Sequence, residues 1–460
     1  MIINLIVENT EDKPMKKAKN YLEVPENAMI LGHNRYYSRN CFETQLNNNV
    51  IVVGTSGAGK TRSIVKPNLL QANGSCSYVV SDPKGTLAKE MTPFFRANGY
   101  RVRCMDFIHP EQSLKYDPLH YCRTTNDIHK LAHTLVYELN KMGGSGGKGS
   151  NYDPFWDESS VILFSAVIGY LKEREKYANT KSTLITMLDI IKMANRDQKG
   201  VSSARGRSRL DELMEEHNAR MKSKKMHSWA YERYHEYNTA PDKTQATINI
   251  CALAKLSMID TNETREMLSS NEIDFASIGQ QPTIIFVMVS DTDRSKDCLA
   301  NLFYSQLMNE LCMYADDKCE NSCLPVPVQF ILDDFATNAR IDNFQNIISN
   351  IRSRGISAMI MVQSEAQLKA GYGYNSQTIV DNCNTYVYMG GSDPHQAKEV
   401  AMRANKSTNS ILNMPVSTSW IFRRGQEPVF CDNFDLEWFQ NKIGFRVGKA
   451  PKLSPELEID

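Results

Sequence analysis

The stretch Asn47-Asn48-Asn49-Val50-Ile51-Val52-Val53-Gly54-Thr55-Ser56-Gly57-Ala58-Gly59-Lys60-Thr61 decides the reading of this chain. A Val/Ile-rich strand runs into a glycine-rich turn, then a Lys-Thr pair, then a run suited to a helix. From Gly54 to Thr61 the pattern is G-x-x-x-x-G-K-[ST]. Such a loop points successive backbone N–H groups inward, where they cradle phosphate oxygens. The helix that follows presents its positive end to the same anion. Gly54, Thr55, Ser56, Gly57, Ala58, Gly59, Lys60 and Thr61 are therefore expected to bind a nucleoside triphosphate. Lys60 would reach the β- and γ-phosphates and Thr61 would ligate Mg²⁺. A glycine turn with a surface lysine also matches the bare pattern, but it does not explain the preceding strand.

Outward from this loop the pattern alternates. Ile51–Val53 reads as a strand, 60–71 as a helix, Ser77–Ser81 as a strand, 86–97 as a helix and Arg101–Phe107 as a third strand. Alternation of this kind predicts an α/β fold with a parallel sheet covered by helices. It stops near Tyr116-Asp117-Pro118-Leu119. From Asp127 to Leu268 no strand is evident, and 127–141, 154–174, 182–194, 208–235 and 244–258 read as helices. Gly143–Ser150 has the composition of a flexible loop. Strands resume at Pro282–Val289, Val328–Leu332, Ala358–Val362 and Thr385–Met389, with a helix at 296–315. The expected organisation is an extension over 1–30, a discontinuous nucleotide-binding domain over 31–125 and 270–445, an all-α domain over 126–269 and a tail over 446–460.

The 460 residues suit two or three domains. With 53 basic and 53 acidic residues the formal charge is zero, which excludes a uniformly cationic nucleic-acid coat and still permits a local basic channel. The 11 cysteines are odd in number and scattered, and Cys319 and Cys323 have no second pair or histidine pattern beside them. Reduced thiols are expected. No segment reaches the roughly 18 apolar residues of a membrane span. Val161–Leu171 is broken by Ser165 and Gly169, and Ile2–Val7 is too short for a signal peptide. A cytoplasmic protein is expected.

A phosphate cradle needs acids as well. Val328-Gln329-Phe330-Ile331-Leu332-Asp333-Asp334 is an apolar strand ending in two of them. Asp333 would hold Mg²⁺ and Asp334 would polarise water; an Asp-rich turn or helix cap is the plainer alternative. Gln363 ends another strand and would sense the γ-phosphate, although Ser364-Glu365 also suits a helix start. Arg352, with Arg354 close by, would serve as an arginine finger across a subunit boundary, or would be an exposed helix arginine.

Taken in order, Gly54–Thr61, Ser81-Asp82-Pro83-Lys84-Gly85, Tyr116-Asp117-Pro118-Leu119, Leu332-Asp333-Asp334-Phe335-Ala336, Arg352-Ser353-Arg354-Gly355, Val362-Gln363-Ser364 and Tyr388-Met389-Gly390-Gly391-Ser392-Asp393 resemble the VirD4/TraG/TraD group of type IV secretion coupling proteins, relatives of FtsK and HerA motors. The resemblance spans about residues 30–435. It implies a RecA-like P-loop domain interrupted by an all-α domain that contacts substrate. It implies ATP and Mg²⁺ bound between subunits of a homo-hexameric ring; without a membrane anchor or DNA such a ring is not expected to hold together, and the isolated chain is expected to be a monomer. It implies that hydrolysis passes relaxase-bound single-stranded DNA from the relaxosome to a type IV secretion channel and its ATPases or membrane components. It favours Arg352 as the finger and Gln363 as the sensor. Two departures stand out. The group usually carries Asp-Glu where this chain has Asp333-Asp334, and the shorter acid implies slow hydrolysis. Most members also begin with transmembrane helices, whereas about 30 residues precede the core here. That suits either a soluble relative held at the inner face of the membrane by a partner, or a trimmed chain.

The segment carrying Arg196, Lys199, Arg205, Arg207, Arg209, Arg220, Lys222, Lys224 and Lys225, followed by Trp229, Tyr231, Tyr234 and Tyr237, has the basic and aromatic content of a nucleic-acid contact. A solvated helix with inward tyrosines fits it slightly better. Three functions compete: an ATP-driven DNA translocase for conjugation, an ATP-dependent docking platform with little motor activity, and a non-conjugative FtsK/HerA-type motor on double-stranded DNA. The helical insertion disfavours the last. A small-molecule kinase is poorer still, since the acids lie on a distant strand and no lid-like arginine cluster follows.

Overall fold

A computed structural model describes residues 20–142, 153–178, 180–194, 208–257, 259–335 and 341–445. The extension up to residue 19, the loop Gly143–Ser150, Arg196, Lys199, Arg205, Arg207, Ala336 and the tail 446–460 lie outside the described residues.

Two strands, β1 (Ala28–Gly32) and β2 (Arg35–Ser38), form an antiparallel hairpin. The others are β3 (Val50–Val53), β4 (Ser77–Ser81), β5 (Arg101–Asp106), β6 (Thr283–Met288), β7 (Val328–Leu332), β8 (Ile356–Val362), β9 (Thr385–Tyr388), β10 (Thr418–Arg423) and β11 (Val429–Asp432). They build one nine-stranded sheet in the order β11-β10-β9-β3-β8-β7-β4-β6-β5. From β9 to β5 every neighbouring pair is parallel, and β10 and β11 add on antiparallel. The expected α/β fold with a parallel RecA-like sheet is thus present.

Alternation along the strands explains why both faces are covered. Ile51 and Val53 pack on one face with Val79 and Ile285, and Val50 and Val52 pack on the other with Val80 and Ile284. A strand buried on both faces reads as a continuous apolar run, and Val50–Val53 is fully buried.

The structure departs from the sequence-based expectations at four places. The hairpin begins at Ala28, and Ala28–Leu31 are buried, so a boundary at residue 30 would cut a core strand. Its turn uses Asn34 at φ 56°, a left-handed position that asparagine tolerates. Strands β10 and β11 lie beyond the last strand that the sequence pattern predicts, because their apolar runs are short. The stretch 208–235 is two helices, Arg209–Ser223 and Trp229–Asn238, separated where Lys225 turns left-handed and Ser228 caps the second. Finally, the helix after the glycine loop opens as a π-turn, Thr61–Val65, before the α-turn Lys66–Leu69. Pro67 has no N–H to donate to Ser63, and its ring opposes a regular α-turn there. The turn widens, and Lys66 N donates to the Thr61 carbonyl.

Among the described residues no strand lies between Asp106 and Thr283, in agreement with a helical insertion. It shares one apolar core with a sheet face, joining Leu135 and Phe164 to Val79 and Ile285. The outgoing and returning chains are hydrogen-bonded together. Tyr116 N donates to Met267 O at 2.9 Å, Glu272 N to Lys115 O at 2.9 Å and Tyr121 Oη to Ile273 O at 2.5 Å. Asp117 sits inside this neck and accepts from Leu119 N at 3.3 Å and Leu184 N at 2.9 Å.

Candidate nucleotide site

The loop leaves β3 at the carboxyl edge of the sheet, where open α/β folds bind their ligands. Neighbouring strands hold it: Gly54 N donates to Val362 O at 3.1 Å and Thr55 N to Gly390 O at 3.4 Å. Two glycines are sterically required. A Cβ on Gly54 would lie 2.9 Å from Met389 Cβ and 3.1 Å from Ala58 Cβ. Gly59 has φ 91°, closed to ordinary L-residues.

Lys60 Nζ donates to Gly54 O at 2.6 Å and to Thr55 O at 3.2 Å. Burial lowers its pKa, and the charges of Asp334 and Asp333 push it back up. Thr61 Oγ1 donates to Asp333 Oδ2 at 2.6 Å, joining residues 272 apart in sequence. Asp333 is 8% exposed. Burial raises its pKa, the Thr61 hydrogen bond opposes this, and the neighbouring Asp334 charge adds to it. A part-exposed hydroxyl in contact with a buried carboxylate supplies oxygen donors that suit Mg²⁺, which typically takes one or two carboxylates and completes its shell with phosphate and water.

Asp334 adopts φ 50°, a left-handed backbone that aspartate tolerates better than most residues. Its Oδ1 lies 3.5 Å from Gln363 Nε2, a long contact. That approach exists because β8 pairs with β7 on one side and β3 on the other. Loop, acids and glutamine therefore converge on one edge.

Arg352 and Arg354 do not join them. They precede β8, whereas Gln363 follows it. Seven residues of strand put about 20 Å between the two ends. Arg352 Nη2 donates to Cys41 O at 2.9 Å, and Arg354 makes a two-pronged pair with Asp316 at 2.9 and 2.7 Å.

Asp82, in the second motif, accepts from Thr86 N at 3.1 Å and Ala88 N at 2.8 Å, so it caps the helix Thr86–Ala97. Ser81 Oγ donates to Asp333 O at 3.2 Å and steadies the acidic turn. In the basic segment Tyr234 and Tyr237 are core residues, bonded to Asp211 and Asn249. Lys222, Lys224 and Lys225 are exposed. Arg220 and Lys224 sit over the Tyr177 ring, at 5.1 and 4.9 Å.

One site neighbour carries no signal in the sequence. Asn433, just past β11, donates through Nδ2 to Ala58 O at 3.4 Å, and its Oδ1 is buried with no hydrogen-bond partner. Nearby, Glu437 pairs with Arg62.

The family model for type IV secretory system conjugative DNA transfer matches residues 6–432. No curated protein matches the chain by sequence. Among solved structures, the plasmid coupling protein TrwB in complex with ADP and Mg²⁺ is 13% identical, with a TM-score of 0.60, covering 94% of this chain and 92% of that one. TrwB in complex with the ATP analogue ADPNP is 12% identical, with a TM-score of 0.62, covering 95% and 94%. VirB4 of Thermoanaerobacter pseudethanolicus is 13% identical, with a TM-score of 0.51, covering 90% and 98%. At these identities the likeness is one of fold.

Proposed function

We propose, from the premise that this chain belongs to the type IV secretory system conjugative DNA transfer family, that it is a Mg²⁺-dependent ATPase whose turnover drives single-stranded DNA toward a secretion channel. Membership itself places it in conjugative DNA transfer. One observation carries the enzymatic reading: the 2.6 Å contact between Thr61 and Asp333, which brings the loop and the acidic strand end onto one point. TrwB holding ADP with Mg²⁺ supports the choice of ligand.

In this reading the loop amides and Lys60 bind the β- and γ-phosphates, and Thr61 and Asp333 hold the metal. Bound Mg²⁺ would neutralise charge developing on the phosphate oxygens. Asp334 orients water and accepts its proton, and Gln363 contacts the γ-phosphate beside it. Arg352 lies at the opposite sheet edge, so it acts only on a neighbouring subunit's nucleotide. The site is complete when chains associate head to tail, as in a homo-hexamer. Relaxase and channel components are the proposed partners. No helix among the described residues is long and apolar enough to cross a membrane, and we assign the chain to the cytoplasmic side, free or held by a membrane partner.

A second reading, a docking platform that binds ATP and hydrolyses little, is favoured by Asp334 at the position of the water-orienting acid. ATP hydrolysis measured with and without single-stranded DNA, with Lys60→Ala as control, separates the two. DNA-stimulated turnover abolished by Lys60→Ala supports the motor. Nucleotide binding with no DNA-stimulated turnover supports the platform.

A further inference from the structure

We propose that Ser81 is a positioning residue for hydrolysis: its hydroxyl pins the Asp333 carbonyl and through it holds the Asp334 carboxylate beside the attacking water. The inference rests on the water-orienting role given to Asp334 above. Strand order provides the first argument. β7 lies between β4 and β8. The main-chain ladder between β4 and β7 runs as far as Val80 and Ile331. Ser81, buried at the last position of β4, carries the tie further through its side chain, donating from Oγ to Asp333 O at 3.2 Å. On the other flank, Phe335 N donates to Met361 O of β8 at 3.0 Å. The acidic turn is thus tied to a neighbouring strand on each side.

The second argument is the backbone at Asp334. The peptide that joins Asp333 to Asp334 is held at both ends. Its carbonyl accepts from Ser81 Oγ, and its N–H donates to Asp333 Oδ1 at 3.1 Å. Asp334 is thereby kept at φ 50°, a left-handed conformation that costs an L-residue free energy and persists where its surroundings over-determine it. The direction of the Asp334 side chain follows from that conformation, which brings Oδ1 to 3.5 Å from Gln363 Nε2. Freed from Ser81, the peptide can rotate and Asp334 can return to negative φ, which redirects its Cα–Cβ bond. Asp333 has a separate tether, because its Oδ2 accepts from Thr61 Oγ1 at 2.6 Å. Loss of the Ser81 hydroxyl therefore disturbs the acid assigned to water more than the acid assigned to the metal.

The test is steady-state ATP hydrolysis by the full chain with Mg²⁺ and single-stranded DNA, together with equilibrium ADP binding, in wild type, Ser81→Ala, Ser81→Thr and Asp334→Ala. Ser81→Ala is expected to lower kcat about 10- to 100-fold, the upper figure being what a misplacement of about 1 Å can cost, with the KM for ATP and the ADP affinity unchanged. Ser81→Thr keeps the hydroxyl and should retain most of the turnover. Added to Asp334→Ala, Ser81→Ala should cost nothing more, because the group it positions is gone. Equal losses in Ser81→Ala and Ser81→Thr overturn the proposal. So does a loss that multiplies with that of Asp334→Ala, or one that appears in ADP affinity as strongly as in kcat. Ser81→Val beside Ser81→Thr makes the same comparison at equal shape should the alanine variant fail to fold. Turnover abolished by Asp334→Ala and untouched by Ser81→Ala would overturn this inference alone. Turnover that survives Asp334→Ala, or a wild type that binds ATP without hydrolysing it, would overturn the role of Asp334 and this inference with it.

Discussion

Asp117 is expected to make the chain less stable as pH rises from 5 to 8, and Asp117→Asn should remove that slope. Burial pushes its carboxyl from the ordinary 3.8 up to about 7, against the opposing hydrogen bonds of Leu184 and Leu119 and the charge of Lys172. A carboxyl raised in the folded state binds its proton more tightly there than in the unfolded chain, so stability falls as pH climbs from the unfolded value through the folded one. At about 1.36 kcal/mol for each tenfold change in proton affinity, this amounts to about 4 kcal/mol once the group is ionised in both states. Roughly 2.5 kcal/mol of it falls between pH 5 and pH 8. Asparagine keeps an Oδ1 to accept from Leu184 N and Leu119 N and never ionises. Urea unfolding of wild type and Asp117→Asn across that range, at constant ionic strength, reads the difference directly, since all other titrations are common to both. The variant should be the more stable by a few kcal/mol at pH 8, with the gap narrowing toward pH 5. Parallel stability curves would refute the reasoning. They would mean that Asp117 ionises normally and that the neck is wetter than its burial suggests.

Gly54→Ala should weaken nucleotide binding at least about fivefold. Its Cβ meets Met389 and Ala58 inside 3.2 Å, and overpacking of that kind costs about 1–3 kcal/mol; titration with a fluorescent ADP analogue checks it. Asp334→Glu should raise ATP turnover while lowering stability by about 1 kcal/mol, because glutamate lacks aspartate's ease at φ 50°. A coupled ATPase assay and denaturant titration measure the two effects. Arg352→Ala should leave ADP affinity of the isolated chain unchanged and depress turnover of assembled chains by 10³-fold or more, the order expected for a finger; sedimentation alongside the ATPase assay separates lost activity from lost assembly. Replacing Lys222, Lys224 and Lys225 with Glu should weaken single-stranded DNA binding and flatten its salt dependence if these exposed cations meet phosphates. Unchanged affinity and slope would leave them as solvated surface.

The α/β class, the helical interruption and the loop from Gly54 to Thr61 were legible in the linear sequence. Each is written in local terms: a run of β-branched residues, a helical period, glycines at fixed offsets. Asp333 and Gln363 were legible as strand ends. That they meet the loop depends on β8 lying between β3 and β7, and strand order is a long-range outcome. Arg352 shows the same limit. Its sequence neighbourhood allowed a finger or a surface residue, and only the sheet put it at the end of β8 opposite the one that neighbours its own chain's loop. The break at Lys225 and the π-turn before Pro67 arise from backbone geometry that averaged helical patterns miss.

By itself, then, the order of residues determined which chemistry this chain can carry, because the phosphate cradle from Gly54 to Thr61 is a property of contiguous backbone. Tertiary structure alone decided which distant side chains share that cradle. The Thr61–Asp333 contact, the exclusion of Arg352 from its own site and the arrival of Asn433 against Ala58 all depend on how nine strands are ordered in one sheet. That order is set by burying apolar area on both faces at once, a constraint that no local stretch of sequence expresses.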